Sequence, residues 1–281
     1  MSPEVVRLEK HPASTPMQVF TSSRAGEPLG TIGIPCRDHI NARTVMSLLT
    51  TDLRFAIEQQ KTIPIVVLQG NALPWQRNEL VNRMQGDWLL FIDDDMTWQP
   101  DAIARLVATQ QEHDLDIVSG LCFRRVRPFH PTMYMREQPD EGLYAFREKW
   151  DEGEIVEVDA TGMAFCLIHK RVFEMIADGP IPPFEERMAI GGPPPLFFHW
   201  YGTVGEDLDF CQTARKAGAK IWVDTSIQIG HVGEIEIGMN EYLHAMASRD
   251  VATVAAWREQ NDKLGLPTMT AEEARERLGW Q

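Results

Sequence analysis

Three consecutive aspartates, Asp93, Asp94 and Asp95, follow directly on the apolar run Trp88–Ile92. Such a run indicates a buried strand, and open parallel sheets bind ligands outside the carboxyl ends of their strands. If the chain stays extended, Asp93 and Asp95 point the same way and Asp94 the other. Crowded carboxylates repel one another, and a divalent cation, Mg²⁺ or Mn²⁺, removes that conflict. The alternative is that the triplet caps the next helix and faces water.

A second acidic pair, Glu206 and Asp207, stands at the start of a predicted helix that runs from about residue 206 to residue 216. Thr203-Val-Gly-Glu206 matches a capping box, with Thr203 as the N-cap residue. The positive end of a helix lowers the pKa of a carboxylate, whereas burial near other carboxylates raises it. The sequence leaves open which effect wins at Asp207.

Cationic side chains and one histidine follow other predicted strands. Arg124, Arg125 and Arg127 come after the fourth strand, where they could bind phosphates or pair with surface carboxylates. His231 lies between Gly230 and Gly233, after the last predicted strand.

Strands and helices alternate from Thr31 onwards, which predicts right-handed βαβ crossovers and a largely parallel sheet. One predicted helix spans about 41–60, with its apolar residues at four-residue spacing on one face. These residues are Val45, Leu49, Leu53 and Ile57. The other predicted strands are 31–35, 65–68, 116–122 and 221–223, with further strands within 155–168, and the other helices are 75–85, 100–111 and 170–177. Residues 180–200 read as a loop, and the chain from Asn240 onwards as helical.

Composition narrows the class of protein. The 281 residues are 43% hydrophobic and 24% charged, with a formal net charge of −14. Generalised nucleic-acid binding needs a basic surface and is not expected. No apolar run approaches the roughly 20 residues that span a bilayer, and the first residues lack a secretory signal, which predicts a cytoplasmic protein. The four cysteines form no CxxC pair, which indicates buried thiols.

Two segments resemble GT-A glycosyltransferases, particularly family 2-like members. Residues 88–106, with the aspartate triplet and Pro100-Asp101, resemble the DxD segment, and Gly205–Cys211 resembles the Glu-Asp motif of the acceptor-side helix. The resemblance spans roughly residues 30–235. It implies a Rossmann-like α/β fold with a mixed, mostly parallel sheet flanked by helices. Its domain would cover residues 29–235, with a nucleotide-sugar half (29–125) and an acceptor half (126–235), between an N-terminal extension (1–28) and a helical tail (236–281).

The same resemblance implies roles for residues on the donor side. Asp95 would be the main ligand of Mn²⁺ or Mg²⁺, Asp93 would contact the ribose or the metal, and His231 would complete the metal shell, which suits Mn²⁺ better. Pro35, Asp38, Arg77, Asp94 and Arg124 would surround the nucleotide, with Asp38 accepting the N3–H of uracil. A turn-forming Asp38 and a solvated Arg77 are the alternatives.

On the acceptor side, the resemblance implies that Asp207 takes the proton from the attacking hydroxyl, with Glu206 in support. Asp159 would bind sugar hydroxyls or form an Asx turn, and Gly162 would let the backbone approach a sugar. The segment 191–201, including Trp200, is predicted to form a lid or an acceptor wall, with aromatic packing under a long loop as the alternative.

The expected function is therefore metal-dependent transfer of a sugar from a nucleotide diphosphate sugar to a hydroxyl acceptor, with inversion as the default. A UDP-sugar is favoured and a GDP-sugar is possible, while the acceptor stays open among glycans, lipid carriers, small molecules, proteins and modified bases. Nucleotidyl transfer is a rival, although no Gly-rich or basic triphosphate loop precedes the triplet. The second rival function is that of a non-catalytic module that binds nucleotide sugars.

Overall fold

The computed structural model describes residues 18–20, 26–70, 72–136, 144–178, 197–199, 205–233, 236–248, 261–265 and 267–279. The strands in these ranges are β1 Gln18–Phe20, β2 Thr31–Cys36, β3 Ile65–Gln69, β4 Trp88–Ile92, β5 Met96–Thr97, β6 Ile117–Leu121, β7 Met133–Arg136, β8 Tyr144–Phe146, β9 Ile155–Val158, β10 Ala160–Thr161, β11 Phe165–His169, β12 Ile221–Gln228, β13 Gly230–Val232 and β14 Glu236–Ile237. The helices are α1 Ala42–Thr50, α2 Arg54–Glu58, α3 Leu73–Asn82, α4 Ala102–Glu112, α5 Lys170–Asp178, α6 Glu206–Lys216, α7 Met239–Ser248 and α8 Ala271–Arg277.

Eight strands form the central sheet, in the order β1-β3-β2-β4-β11-β6-β12-β9. β2 pairs in parallel with β3 and β4, and β12 pairs in parallel with β6. β1, β11 and β9 run antiparallel to their neighbours. Five of these eight strands thus run the same way, which confirms the predicted α/β fold with a mixed, mostly parallel sheet.

The central strand β4 is buried on both faces. Trp88, Leu90 and Ile92 pack in the cluster that contains the apolar side of α4, whereas Leu89 and Phe91 pack in the cluster that contains α3, α5 and α6. This alternation follows from the two-residue period of a strand, and burial of each large apolar side chain is worth about 1.5–3 kcal/mol. The helices on both faces hold the end of β4, and therefore Asp93, in a fixed place.

The predicted helix over 41–60 is two helices, α1 and α2, separated at residues 51–53. The chain leaves the helical path because the backbone N–H of Asp52 donates to the carbonyl of Pro100, and the Asp52 carboxylate accepts the N–H of Arg54. The break is thus caused by a tertiary contact that no local pattern encodes.

The apolar face that the four-residue spacing defines is not the face that α1 and α2 bury. Leu49 is 75% exposed, and Val45 and Ile57 are exposed as well. Thr44 and Ser47 face the interior instead. The Thr44 hydroxyl donates to the carbonyl of Asp94, so α1 is fixed to the end of β4 by polar contacts rather than by an apolar stripe.

The remaining elements to be placed are the edge strand β1 and the two helices α7 and α8. β1 lies within the predicted N-terminal extension and forms one edge of the sheet. The described part of the tail contains the helices α7 and α8, and Tyr242 and Met246 of α7 join the larger core cluster. None of the helices in the described ranges has the length and apolar character needed to cross a membrane.

Candidate active site

The aspartate triplet does not stay extended beyond β4, because the chain turns at Asp94 and Asp95. The predicted alternation of the side chains therefore does not apply. Asp93 Oδ1 accepts from Arg77 Nη2 at 3.0 Å, and Asp94 Oδ2 accepts the backbone N–H of Arg37 at 3.3 Å. Burial raises the pKa of Asp94, while the N–H of Arg37 opposes that rise.

The triplet is not a helix cap. α4 begins at Ala102 with Asp101 as its N-cap residue, so the alternative interpretation of the triplet as a cap is wrong. Asp95 contacts two cationic or ionisable groups instead. Its Oδ2 is 2.8 Å from Nη1 of Arg125, whose side chain is 54% exposed, and its Oδ1 is 3.4 Å from Nε2 of His231.

The short strand β13 places His231 beside the triplet. β13 pairs with β5, with His231 opposite Met96, and the N–H of Val232 donates to the carbonyl of Asp95. His231 Nδ1 lies 2.9 Å from the carbonyl oxygen of Phe123. Because a carbonyl only accepts, Nδ1 carries a proton, so in a neutral ring the lone pair is on Nε2, the nitrogen that faces Asp95. Two electron-rich atoms at this separation repel unless a proton or a metal ion lies between them.

The side chains of Asp95 and His231 suit a metal ion whose remaining coordination positions are filled by a bound ligand. Within the described residues, no group of three or more His, Cys, Asp or Glu side chains is arranged to hold a metal. Mg²⁺ and similar ions are commonly held by one or two protein ligands plus phosphate oxygens and water. The pair supplies one carboxylate and one imidazole, whereas Asp93 is engaged by Arg77.

Arg77 is only 2% exposed. Its Nη1 contacts the carboxylate of Glu206, and its Nη2 contacts Asp93. The rings of Phe91 and Phe198 lie together on one side, with their centroids 5.4 Å apart and each 6.0 Å from the guanidinium carbon. The guanidinium predicted to contact the donor is therefore enclosed between two carboxylates instead of open to a ligand.

Glu206 and Asp207 open α6, as predicted, but without the predicted capping box. The N-cap residue is Gly205, no side chain caps the helix, and Thr203 lies outside the described residues. Burial, and then the like charge of Glu206, raise the pKa of Asp207 to about 6, against smaller opposing effects from Arg77 and from the N–H of Leu208. Burial thus outweighs the helix end, and a carboxylate with this pKa is suited to proton transfer near neutral pH.

The two predicted acceptor-side residues Gly162 and Asp159 lie in different places. A side chain at Gly162 would have its Cβ 3.8 Å from Asp207 Oδ2, so Gly162 borders that carboxylate. Asp159 instead binds Nη2 of Arg215 at 2.6 Å and the N–H of Arg136 at 2.7 Å. Arg215 lies near the opposite end of α6 from Asp207, about 12 Å along the axis at 1.5 Å per residue. The structure therefore does not bring Asp159 to Asp207.

The remaining donor-side predictions fall around the ends of β2 and β6. Pro35 is buried in β2, and Asp38 follows this strand with a side chain that is 72% exposed. The carbonyl of Asp38 accepts from the Gln69 side chain at 2.8 Å, which fixes the turn, and the exposed carboxylate lies 3.7 Å from Nε of Arg37. Arg124 follows β6, and its guanidinium carbon lies 5.5 Å from the ring centroid of Phe146.

The predicted lid lies mostly outside the described residues, Trp200 included. Phe197 and Phe198 of this segment are buried, and Phe198 packs on Phe91 and Phe210. For these two residues the alternative of aromatic packing holds. A role for Trp200 stays a prediction.

Two residues of the candidate site, Asn78 and Tyr134, were not predicted from the sequence. Asn78 binds the backbone of Phe197 and Phe198 through both ends of its amide. Tyr134 of β7 lies close enough to Asp207 for that carboxylate to add to the effect of burial, and both raise the pKa of Tyr134. Asn78 stands beside Arg77, but its contacts depend on a distant segment, and no local signal marks Tyr134.

A mixed α/β sheet with the candidate site at the carboxyl ends of β2, β4 and β6 is the arrangement that the predicted resemblance to GT-A glycosyltransferases implies. Residues 53–174 match the family model for glycosyl transferase family 2, and the match includes the aspartate triplet. It confirms the predicted resemblance to family 2-like members. The matched region is less than half of the chain and does not include Asp38, Asp207 or His231. No curated protein shows significant sequence similarity to the chain.

Three of the solved structures with a loosely similar backbone fold are as follows. A197 from STIV is 16% identical, with 72% of this chain and 85% of that chain covered and a TM-score of 0.44. GalNAc-T7 with UDP, GalNAc and Mn²⁺ is 12% identical, with 89% and 57% covered and a TM-score of 0.48. TarS residues 1–349 from S. aureus, with UDP-GlcNAc, is 14% identical, with 78% and 64% covered and a TM-score of 0.41. The chain thus spans less than two thirds of the latter two, and these loose likenesses carry no functional argument.

Proposed function

We propose that this protein transfers a sugar from a nucleotide diphosphate sugar to a hydroxyl group, with a divalent cation held by Asp95 and His231. The observation that carries the proposal is the approach of His231 Nε2 to Asp95 Oδ1, 3.4 Å apart, with the histidine proton directed away at Phe123. The match to glycosyl transferase family 2 over residues 53–174 supports sugar transfer as the chemistry.

The donor nucleotide would lie at the ends of β2 and β4. Asp38 offers an exposed carboxylate that can accept the N3–H of uracil, as binding of the favoured UDP-sugar requires. Pro35 and Asp94 line the same edge, because Asp94 is bonded to the N–H of Arg37 in the turn after β2. Arg124 and Arg125 follow β6, which is separated from β4 by β11, and would supply positive charge for the diphosphate.

A metal ion at Asp95 and His231 would supply charge neutralisation for the departing diphosphate. The protein prepares the site by fixing the imidazole ring through the Phe123 carbonyl. Such a second contact orients a ligating histidine and selects its tautomer. Arg125 pairs with Asp95 from an exposed position, so it is free to exchange its carboxylate for a phosphate. An imidazole ligand favours Mn²⁺ over Mg²⁺.

Asp207 is the proposed base that takes the proton of the acceptor hydroxyl. Its carboxylate lies next to Gly162, which has no side chain of its own, and its pKa of about 6 matches the task near neutral pH. Glu206 supports it from the neighbouring position. One base and no evident internal nucleophile favour direct attack on the anomeric carbon, hence inversion.

The experiment is a thermal-shift panel of UDP- and GDP-sugars with and without Mn²⁺, followed by analysis of the products. Saturation at a hundred times Kd stabilises a protein by about 2.7 kcal/mol, which raises Tm by roughly 5–10 °C at this size. Release of a nucleoside diphosphate supports glycosyl transfer, and release of pyrophosphate supports nucleotidyl transfer. Binding with neither product supports a non-catalytic module. The acceptor and a cytoplasmic location stay predictions for separate tests.

A further inference from the structure

Two adjacent polar residues of α3, Arg77 and Asn78, are buried at the junction between the donor and acceptor sides of the candidate site. Arg77 contacts Asp93, at the end of β4, and Glu206, the first residue of α6. These carboxylates come from opposite halves of the predicted domain. A single guanidinium therefore connects the strand end that precedes the proposed metal ligand Asp95 to the helix that carries Asp207.

Asn78 fixes the segment that precedes α6. Its Nδ2 donates to the carbonyls of Pro74 and Phe198, at 2.8 and 2.7 Å, and its Oδ1 accepts the N–H groups of Phe197 and Phe198, at 2.9 and 3.2 Å. All donors and acceptors of the amide are thus in use. Arg77 and Asn78 hold the chain on either side of residues 200–204, which lie outside the described ranges.

The planar fork of an arginine suits this position. Two buried carboxylates repel each other, and a buried charge is costly unless it is paired. Arg77 directs separate nitrogens to Asp93 and Glu206, a geometry that the single ammonium group of a lysine does not reproduce. Loss of Arg77 would release Glu206 from Asp93 and leave both anions near Asp207.

We propose that Arg77 is a positioning residue, which sets the start of α6, and hence the place of Asp207, against the metal-side end of β4. This inference rests on the proposed function, since it gives the geometry a role in sugar transfer. Arg77 acts through the two carboxylates and does not contact the donor, because the side chains around it enclose its guanidinium group.

The pKa of Asp207 is a measurable readout of this role, because it depends on the charges that surround the carboxylate. Facing groups come from four neighbouring elements: Arg77 of α3, Asp93 after β4, Tyr134 of β7 and Cys166 of β11, together with Glu206 and Cys211 of α6 itself. Arg77 lowers the pKa of Asp207 and Glu206 raises it. Substitution of these two residues by glutamine should therefore move the titration of Asp207 in opposite directions.

The test compares Arg77→Gln, Arg77→Lys, Glu206→Gln and a control, Arg83→Gln, whose arginine pairs on the same helix with Glu79 only at its partly exposed surface. Three quantities are measured. They are the Kd for UDP with Mn²⁺, the kcat for UDP release from the UDP-sugar that the unmodified protein hydrolyses fastest, and the ¹³C titration of the Asp207 carboxyl, assigned with Asp207→Asn.

For Arg77→Gln we expect an unchanged Kd for UDP, a kcat reduced roughly 10- to 100-fold, as for a misplaced catalytic group, and a higher titration midpoint. Arg77→Lys should restore much of the midpoint but not the kcat. Glu206→Gln should lower the midpoint and also reduce the kcat, and Arg83→Gln should change none of the three quantities.

A raised Kd for UDP with an unchanged kcat in Arg77→Gln would mean direct donor contact and would overturn the inference. If Arg77→Gln does not fold, Glu206→Gln decides, and an unchanged midpoint and kcat in that variant overturns it. If the unmodified protein neither binds UDP nor releases it, the proposed function fails. The opposite shifts of the Asp207 titration then still support the link between the three charges, and their absence removes it.

Discussion

His231 and Asp95 face each other at the edge of the central sheet, with Nε2 of the imidazole 3.4 Å from Oδ1 of the carboxylate. The pairing of β13 with β5 brings these distant parts of the sequence together, and the Phe123 carbonyl fixes the ring. In the proposed metal site, this carboxylate and this imidazole are the protein ligands, and a diphosphate would supply the remaining ones.

Substitution of Asp95 by alanine should abolish Mn²⁺-dependent sugar transfer without unfolding the protein. The metal loses its carboxylate, and removal of one electrostatic contact to the leaving group costs about 100- to 1,000-fold in kcat. The pair that Asp95 forms with the exposed Arg125 is worth only about 0–1 kcal/mol, so Tm should change little. Turnover and thermal melts are measured beside Asp101→Asn, a surface carboxylate without a capping bond. Normal turnover by Asp95→Ala would remove the metal hypothesis.

Replacement of His231 by alanine should raise the Mn²⁺ concentration needed for half-maximal activity by at least roughly 10- to 100-fold, the loss seen when even outer ligand contacts are removed. The preference for Mn²⁺ over Mg²⁺ should also shrink, because the remaining ligands are oxygens. Metal titrations of activity check both effects, with His113→Ala at the end of α4 as the matched control. An identical Mn²⁺ dependence in His231→Ala would contradict the ligand role.

Asp207→Asn should bind the donor with unchanged affinity and transfer sugar roughly 100- to 10,000-fold more slowly, the usual contribution of a general base. Asparagine keeps the size of the side chain and, in this half-buried place, removes the negative charge beside Glu206. The measurement pairs donor titration calorimetry with single-turnover kinetics. Equal activity in the two proteins would rule out Asp207 as the base.

Sugar transfer should lose activity as the pH falls through about 6, the value to which burial and Glu206 raise the pKa of Asp207. The base acts only when ionised, so log kcat/KM should rise with unit slope below that pH and level above it. A profile that is flat from pH 5 to pH 7 in the unmodified protein would exclude an essential group with this pKa.

The raised pKa of Asp207 also predicts that the stability of the folded protein depends on pH. The folded pKa of Asp207 lies near 6 and the ordinary value is 3.8, so the folded protein binds the proton more tightly. The stability that this group contributes is fully present below 3.8 and is lost as the pH rises through 6. Between these values Tm of the unmodified protein should fall relative to that of Asp207→Asn. Parallel Tm curves would contradict the raised pKa.

The parts of the site that follow buried strands could be predicted from the sequence. A continuous apolar run such as Trp88–Ile92 is specific for a strand that is covered on both faces, and it fixes the place of Asp93 to Asp95. The start of α6 at Glu206 was likewise predictable from its motif. In both cases the chemistry is local to a few neighbouring residues.

The roles that depend on distant partners could not be predicted. Nothing near Arg77 in the sequence reveals that Asp93 and Glu206 enclose it, and Asp159 is held by Arg215, near the far end of α6. The exposed Leu49 shows the same limit, because α1 is fixed by polar bonds to the end of β4 rather than by its apolar spacing. Pattern and propensity describe a segment, whereas these contacts join segments.

The most direct measurement is anomalous diffraction at the manganese edge from crystals soaked with MnCl₂ and UDP. If Asp95 and His231 bind the metal ion, we expect one manganese peak about 2.1 Å from the Asp95 carboxylate and from Nε2 of His231. The diphosphate oxygens should lie on the open side of this ion. UDP bound at the end of β4 with no manganese between these two side chains would contradict it.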